Sequence, residues 1–345
     1  MKKILILFCG GTISMIKNTE TWSLDVAHGV DKILAIEPRI TELAAIDVQF
    51  VINIDSTNAT PRLREEITRI IDEKYDQYDG FLITTGTDTM AFMASALTFS
   101  LTNIGKAVII TGAQIAPDHL DTDAKVNLIN AVRVATMDIG WVFIVFGTKI
   151  VLGCRSYKKK LFDRDAFFTH NVDDAGTIDT EIRLDMTCYP SHHDPLVVKN
   201  CFDDSIISIV SSPGMHADHL IRLIDDGVKW FVIWGHGTWS LSDYLFPWLR
   251  HAQASQIPVI VTTACQDGTV MGIYSVWLEA LKLGVIEAYD MSIEAMMTKL
   301  MRCLGQDIPY TEMKKIIQTD LHGEIDTTKA NRARNQNLQT VINSL

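Results

Sequence analysis

The 345-residue chain contains no apolar run of the roughly 20 residues that a membrane-spanning helix requires. It is also short of positive charge. Its 31 Lys and Arg face 42 Asp and Glu, and the net charge of −11 excludes nucleic acid as a principal partner, since binding phosphates takes a basic face. The only dense basic run is Lys158-Lys159-Lys160. Six cysteines (Cys9, Cys154, Cys188, Cys201, Cys265 and Cys303) are scattered with neither zinc spacing nor a pairing pattern. They fit reduced thiols, and the first strand starts at once with no signal-peptide pattern, so a cytoplasmic protein is expected. No P-loop and no Gly-x-Gly-x-x-Gly follows any strand, which removes nucleotide phosphates and dinucleotides as ligands. There is no internal repeat and no low-complexity tract.

What is present is a series of short apolar runs, each ending in small polar residues. Ile4 to Phe8 has no polar alternation and reads as a strand buried on both faces, as in a parallel sheet covered by helices. Cys9-Gly10-Gly11-Thr12 follows. Adjacent glycines there allow positive φ or close backbone approach, and they put Thr12 just past the carboxyl end of a strand, where open α/β sheets bind ligands. Met15 to His28 shows little periodicity and is placed to act as a lid. Val48–Ile54 is the next strand, ending in Asp55-Ser56, and Thr60-Pro61 opens a helix with Thr60 as N-cap. Phe81–Thr84 runs into Thr85-Gly86-Thr87-Asp88-Thr89 and a helix from Met90 to Leu101. Ala107–Thr111 closes with Gly112-Ala113-Gln114, before a helix from about Ala124 to Met137 and a strand from Trp141 to Phe146. Strand, loop and helix recur as βαβ units, so a parallel sheet is expected with its polar strand ends on one rim.

The fold class read from this pattern is α/β, with a larger N-terminal domain whose mostly parallel sheet is flanked by helices and a smaller C-terminal α/β domain. Residues 1–185 form the first domain and 186–204 a linker rich in Pro, His, Asp and Asn. Residues 205–345 form the second, with strands at Ile206–Val210, Phe231–Trp234 and Val259–Thr263. Its helices are expected near His216–Asp225, Leu241–Gln253, Ile273–Leu283 and Ser292–Leu304.

Thr12, Thr87, Asp88 and one of the lysines 158–160 make a candidate nucleophile, base and orienting carboxylate. A threonine hydroxyl needs such a base within about 2.6–3.2 Å to act as a nucleophile. The competing interpretation of Gly86-Thr87-Asp88-Thr89 is helix capping. His192-His193-Asp194 lacks a third ligand at fixed spacing and His216/His219 share one helix face, so no metal is assigned. Gly235-His236-Gly237-Thr238 lacks the Gly-x-Ser-x-Gly pattern of hydrolase elbows and reads as a loop lining a site or interface.

Gly10-Gly11-Thr12-Ile13, Thr85-Gly86-Thr87-Asp88-Thr89-Met90 and Ile110-Thr111-Gly112-Ala113-Gln114 resemble the bacterial-type L-asparaginases. Asp55-Ser56, Gly153 to Lys158, Asp165-Ala166-Phe167 and the run from Gly284 to Leu300 extend the similarity over nearly the whole chain, with the cytoplasmic, type I branch the best fit. The resemblance implies an L-asparagine amidohydrolase that works through an acyl-threonine intermediate without a cofactor. By position it implies Thr12 as nucleophile, with Thr87, Asp88 and Lys158 as the second hydroxyl and its charged partners. Asp55, Ser56 and Asp88 would hold the substrate's α-amino and α-carboxylate groups, and Gly11 and Thr87 would present backbone N–H groups to it. It also implies a homodimer, often paired into a homotetramer. The chain departs from the family at Cys9, where threonine is usual, and at Thr85, usually histidine. It departs again at Trp22, where the lid usually carries a tyrosine, and at Gly235 to Trp239, where Gly-x-Gly-Asn is usual. Cys265 lies in a segment that could belong to an effector site. The alternatives are an amidohydrolase for glutamine or a related small amide, and a non-catalytic asparagine- or aspartate-binding protein. A third is the glutaminase subunit of an archaeal tRNA amidotransferase, disfavoured because those chains carry an extra N-terminal domain.

Overall fold

The protein is described by a computed structural model covering residues 1–17, 24–26, 31–237, 240–263 and 275–328. Trp22, Thr238, Trp239 and Cys265 lie outside the described residues. The chain divides into two units, Met1–Cys201 and Phe202–Leu345.

In the first unit the long strands are β1 (Lys3–Gly10), β2 (Ala45–Ile54), β3 (Gly80–Thr84), β4 (Ala107–Thr111) and β5 (Val142–Phe146). Helices α1 (Pro61–Lys74), α2 (Met90–Ser100) and α3 (Ala124–Ala135) connect them. The strands run in the order β2-β1-β3-β4-β5, all parallel. Every residue of β3, β4 and β5 is buried, as is β1 beyond Lys3. Their unbroken apolar sequences suit a sheet with both faces covered. The core on one side joins Leu5 and Leu7 of β1 to Ile67 and Ile71 of α1 and to Met93 and Leu97 of α2.

Beyond β5 the sheet turns antiparallel through β6 (Lys149–Leu152), then β9 (Gly176–Ile178) and β10 (Ile182–Leu184). Between them a hairpin of β7 (Ser156–Lys158) and β8 (Phe167–Thr169) projects, pairing Lys158 with Phe167. The charged stretch from Ser156 to Thr169 is therefore a hairpin. In the segment after Met15, Met15–Lys17 and Leu24–Val26 pair as short antiparallel strands, where the sequence suggested none. Within 186–204, Val197–Val198 pairs with Leu101–Thr102.

Thr60 takes the extended N-cap conformation ahead of Pro61, but its side chain makes no capping bond. α1 starts on proline geometry alone.

The second unit has a parallel sheet of β11 (Ile206–Val210), β12 (Trp230–Gly235), β13 (Val259–Thr263) and β14 (Ile286–Glu287), in that order. Its helices are α4 (Ala217–Asp225), α5 (Phe246–Ala254), α6 (Ser275–Lys282), α7 (Ile293–Gly305) and α8 (Tyr310–Ile317). Among the described residues no helix is long and apolar enough to cross a membrane.

Candidate active site

The chain leaves β1 for β2 on one side and later returns to β3 on the other, so β1 is the switch point of the first sheet. A crevice outside the carboxyl ends of the strands forms at such a point. Gly10 and Gly11, at φ +86° and +83°, carry the chain off β1. A Cβ on Gly11 would lie 2.2 Å from the backbone nitrogen of Gly86, and one on Gly86 would lie 2.7 Å from Ser56 Oγ. Three strand-end loops thus pack closely together, which is why those two positions lack side chains. Thr12, Ser56 and Thr87 are brought to one rim.

Thr12 begins a short 3-10 turn, Thr12–Ser14, and its side chain is half-buried. The turn is closed by Ser14, whose backbone N–H and Oγ both donate to the Gly11 carbonyl, at 2.9 and 2.7 Å. Cys9, two residues before Gly11, is fully buried, and burial pushes its thiol up out of the range of a reactive thiolate. Of the two hydroxyls in this turn, that of Ser14 is taken up by the Gly11 carbonyl, and Thr12 is the residue next to the glycine pair.

Lys158 reaches from β7 to donate 2.8 Å to Thr87 Oγ1 and 2.7 Å to Asp88 Oδ1. Thr87 is buried, the Lys158 side chain is 14% exposed and that of Asp88 54%. Thr87 and Asp88 serve Lys158 rather than capping α2, whose N-cap Thr89 also makes no side-chain capping bond. Thr89 Oγ1 instead donates 2.7 Å to the Ser56 carbonyl, tying the second loop to the third. Lys159 and Lys160 take other roles. Both ammonium groups lie over the Phe168 ring, and Lys160 pairs with Asp163 at 2.6 Å.

Thr87 has a further partner, since its hydroxyl donates 3.4 Å to Gln114 Oε1 at the end of β4. Gln114 Nε2 is out of contact with solvent and has no hydrogen-bond partner among the described residues. Asp55 is exposed, and its Oδ1 accepts 2.9 Å bonds from both the backbone N–H and the hydroxyl of Thr57. Ser56 beside it is 3% exposed. No side-chain hydrogen bond joins Asp55 or Thr12 to the Lys158 group among the described residues. The arrangement can hold a threonine oxygen near an ammonium whose charge a carboxylate balances, on a rim with a second hydroxyl to spare. That is the equipment of acyl transfer. Among the described residues no group of three or more His, Cys, Asp and Glu could hold a metal ion.

Two family profiles match the chain. The one described as asparaginase, N-terminal, covers residues 3–189, and the glutaminase/asparaginase C-terminal domain covers 206–317. The chain belongs to the asparaginase family. It is 32% identical to L-asparaginase 1 of Escherichia coli K12, over 94% of this chain and 98% of that protein. Its fold superposes on the thermostable L-asparaginase from Thermococcus kodakarensis with a TM-score of 0.86 at 30% identity, covering 94% of this chain and 99% of that one. A glutamyl-tRNA(Gln) amidotransferase subunit of Methanosphaera stadtmanae is also similar, at 31% identity over 95% of this chain and 77% of its own length.

Asp123 and Asn127 stand behind Gln114 and were not singled out in the sequence. The available signal was an Asp and an Asn four residues apart at the start of a helix, which reads there as ordinary capping.

Proposed function

We propose that this protein hydrolyses the side-chain amide of L-asparagine to L-aspartate and ammonia through an acyl-threonine intermediate on Thr12. The observation that carries the reading is the bonded group of Lys158, Thr87 and Asp88 one strand end from the half-buried Thr12. Thr12 Oγ adds to the amide carbon and its proton passes to the leaving nitrogen. The C–N bond breaks, ammonia departs and an ester remains. Water then adds to the ester with Thr87, Lys158 and Asp88 as its proton network, and the bond to Thr12 breaks to release aspartate. Asp55, Ser56 and Asp88 hold the α-amino and α-carboxylate groups. Backbone N–H groups of Gly11 and Thr87 face the developing oxyanion, a role worth about 2.7–4 kcal/mol per donor. No step calls on a cofactor.

The similarity to L-asparaginases supports asparagine over glutamine or another small amide. The retained Lys158 group supports an enzyme over a binding protein, which needs no such group. The test is ammonia release from asparagine, glutamine and a panel of β-amides, for the parent, Thr12→Ala and Thr87→Val. Both variants should lose several orders of magnitude in kcat and keep the fold. Wild-type turnover by Thr12→Ala refutes the nucleophile, and binding of asparagine without ammonia release refutes the enzyme.

Five described cysteines, Cys9, Cys154, Cys188, Cys201 and Cys303, form no disulfide with one another, which supports a cytoplasmic setting. Leu120, Leu161 and Phe162 are 96%, 67% and 99% exposed on loops that lead away from Gln114 and Lys158. Such apolar surface supports a homo-oligomer, a dimer or tetramer. A strictly monomeric, fully active protein in sedimentation would contradict it.

A further inference from the structure

We propose that Asp123 is a positioning residue for this reaction, setting the place of Thr87 through Gln114 and that of Lys158 through Asn127, Gly147 and Asp165. The proposal rests on the reading of Thr87 and Lys158 given above. Asp123 is the N-cap residue of α3, yet its side chain makes no capping bond there. Its carboxylate, 4% exposed, turns instead to the loop after β4. It accepts from the Gln114 N–H with both oxygens, at 3.1 and 3.0 Å, and from the Ile115 N–H at 3.0 Å. A fourth bond comes from Asn127 Nδ2, at 3.0 Å.

Asn127, 1% exposed, carries the connection onward. Its Nδ2 also donates 3.0 Å to the Gly112 carbonyl, and its Oδ1 accepts 2.9 Å from the Gly147 N–H. Gly147 begins the turn between β5 and β6, and the next residue binds Asp165. Thr148 donates from its N–H at 2.7 Å and from Oγ1 at 3.1 and 3.0 Å. Asp165 stands at the foot of β8, where Lys159 N–H donates 2.9 Å to the Ala166 carbonyl and Lys158 pairs with Phe167. From Lys158 the path returns to Thr87 and Gln114. The ring is closed.

The physical reason for placing a carboxylate there follows from its burial. A buried carboxylate is costly unless its lone pairs are filled, and charge-assisted bonds to it are stronger than neutral ones. Filling them with the N–H groups of one loop leaves that loop a single favourable conformation. Thr87 Oγ1 then lies between two groups, Lys158 Nζ and Gln114 Oε1, that the same brace holds in register. Placement errors of about 1 Å in such a group can cost on the order of a hundredfold in rate.

The test uses the full-length protein. Asp123→Asn keeps the shape but offers one acceptor oxygen and turns an NH2 toward donors. Gln114→Met keeps the length and removes the amide. Each should lower kcat by about ten- to a hundredfold, leave KM for asparagine within about twofold and leave the circular dichroism spectrum unchanged. The double variant should be no slower than the slower single variant, because both act on one hydroxyl. A merely structural aspartate would lower the denaturation midpoint without this split between kcat and KM and without the coupling. Wild-type kcat in folded Asp123→Asn, or multiplying losses in the double variant, overturns the proposal. Should Asp123→Asn fail to fold, wild-type kcat in Gln114→Met overturns it alone. Thr12→Ala is assayed alongside. Its full activity refutes the underlying reading, whereas an inactive Thr12→Ala beside wild-type turnover in Asp123→Asn refutes only the brace.

Discussion

Gly11→Ala tests whether the contact between strand-end loops sets catalysis. A Cβ at this position meets the Gly86 nitrogen at 2.2 Å, its Cα at 2.4 Å and the Thr85 carbonyl carbon at 2.6 Å, with φ at +83°. All three atoms are backbone, so no side chain can swing away. Restoring an ordinary contact of 3.4 Å from 2.2 Å takes 1.2 Å of separation between the loop bearing Thr12 and the loop bearing Thr87. An alanine held at φ +83° and ψ 177°, a conformation all but confined to glycine, costs about 1–3 kcal/mol by itself, and forced overpacking adds about 1–3 kcal/mol. A displacement of this size at the proposed reacting groups predicts a fall in kcat of about a hundredfold, or about 2.7 kcal/mol of barrier. Gly214→Ala is the control, because Gly214 has φ +85° and nothing within 4 Å of the added carbon. It carries a positive φ without the clash. Ammonia release and urea denaturation on both variants separate the two effects. Gly11→Ala should lose stability and turnover, and Gly214→Ala stability alone. Wild-type kcat in Gly11→Ala refutes the reasoning, as does an equal loss in Gly214→Ala.

Lys158→Met should lower kcat by several orders of magnitude while Lys159→Met and Lys160→Met stay near the parent, since only Lys158 touches Thr87 and Asp88; equal losses at all three would make the run a surface patch. Glu294, in the first turn of α7, has an Oε2 out of solvent contact with no partner among the described residues, and burial raises its carboxyl from 4.5 to about 7. The folded state therefore keeps a proton that the unfolded chain sheds across that window, and stability falls as pH rises from about 4.5 to 7, by up to about 3 kcal/mol. Glu294→Gln should raise the urea midpoint at pH 8 and change it little at pH 4.5; an equal shift at both pH values would show that titration is not the cause.

The parts legible in the sequence were those where one local pattern admits one physical solution. An apolar run such as Ile4 to Phe8, with no polar alternation, can be buried only on both faces, and two glycines after it can only serve a left-handed turn or a close approach. Both uses hold at Gly11. The edge elements were hidden for the opposite reason. Gly176–Ile178 and Ile182–Leu184 are three residues each, with exposed positions among them, and nothing in so short a pattern separates a strand from a loop. The hairpin carrying Lys158 was masked by its charge. Lys159 and Lys160 look like a solvated run, whereas they lie over Phe168 while Lys158 turns to Thr87.

Asp123 shows where a local reading stops. By sequence it is a helix N-cap, and a cap would spend its oxygens on the N–H groups of its own first turn. In the fold those oxygens go to Gln114 and Ile115, nine and eight residues back along the chain. That choice depends on β4 and α3 being packed together, a consequence of the whole sheet. A residue that carries chemistry at a strand end is therefore visible from its own surroundings, because the strand that presents it is local. A residue that holds two such ends in register is invisible until both are in place. The same logic sets what each substitution is expected to do: removing Thr12 or Lys158 should delete a proposed reacting group, and removing Asp123 should let intact groups drift. A low kcat with an unchanged KM in Asp123→Asn is the signature of that drift.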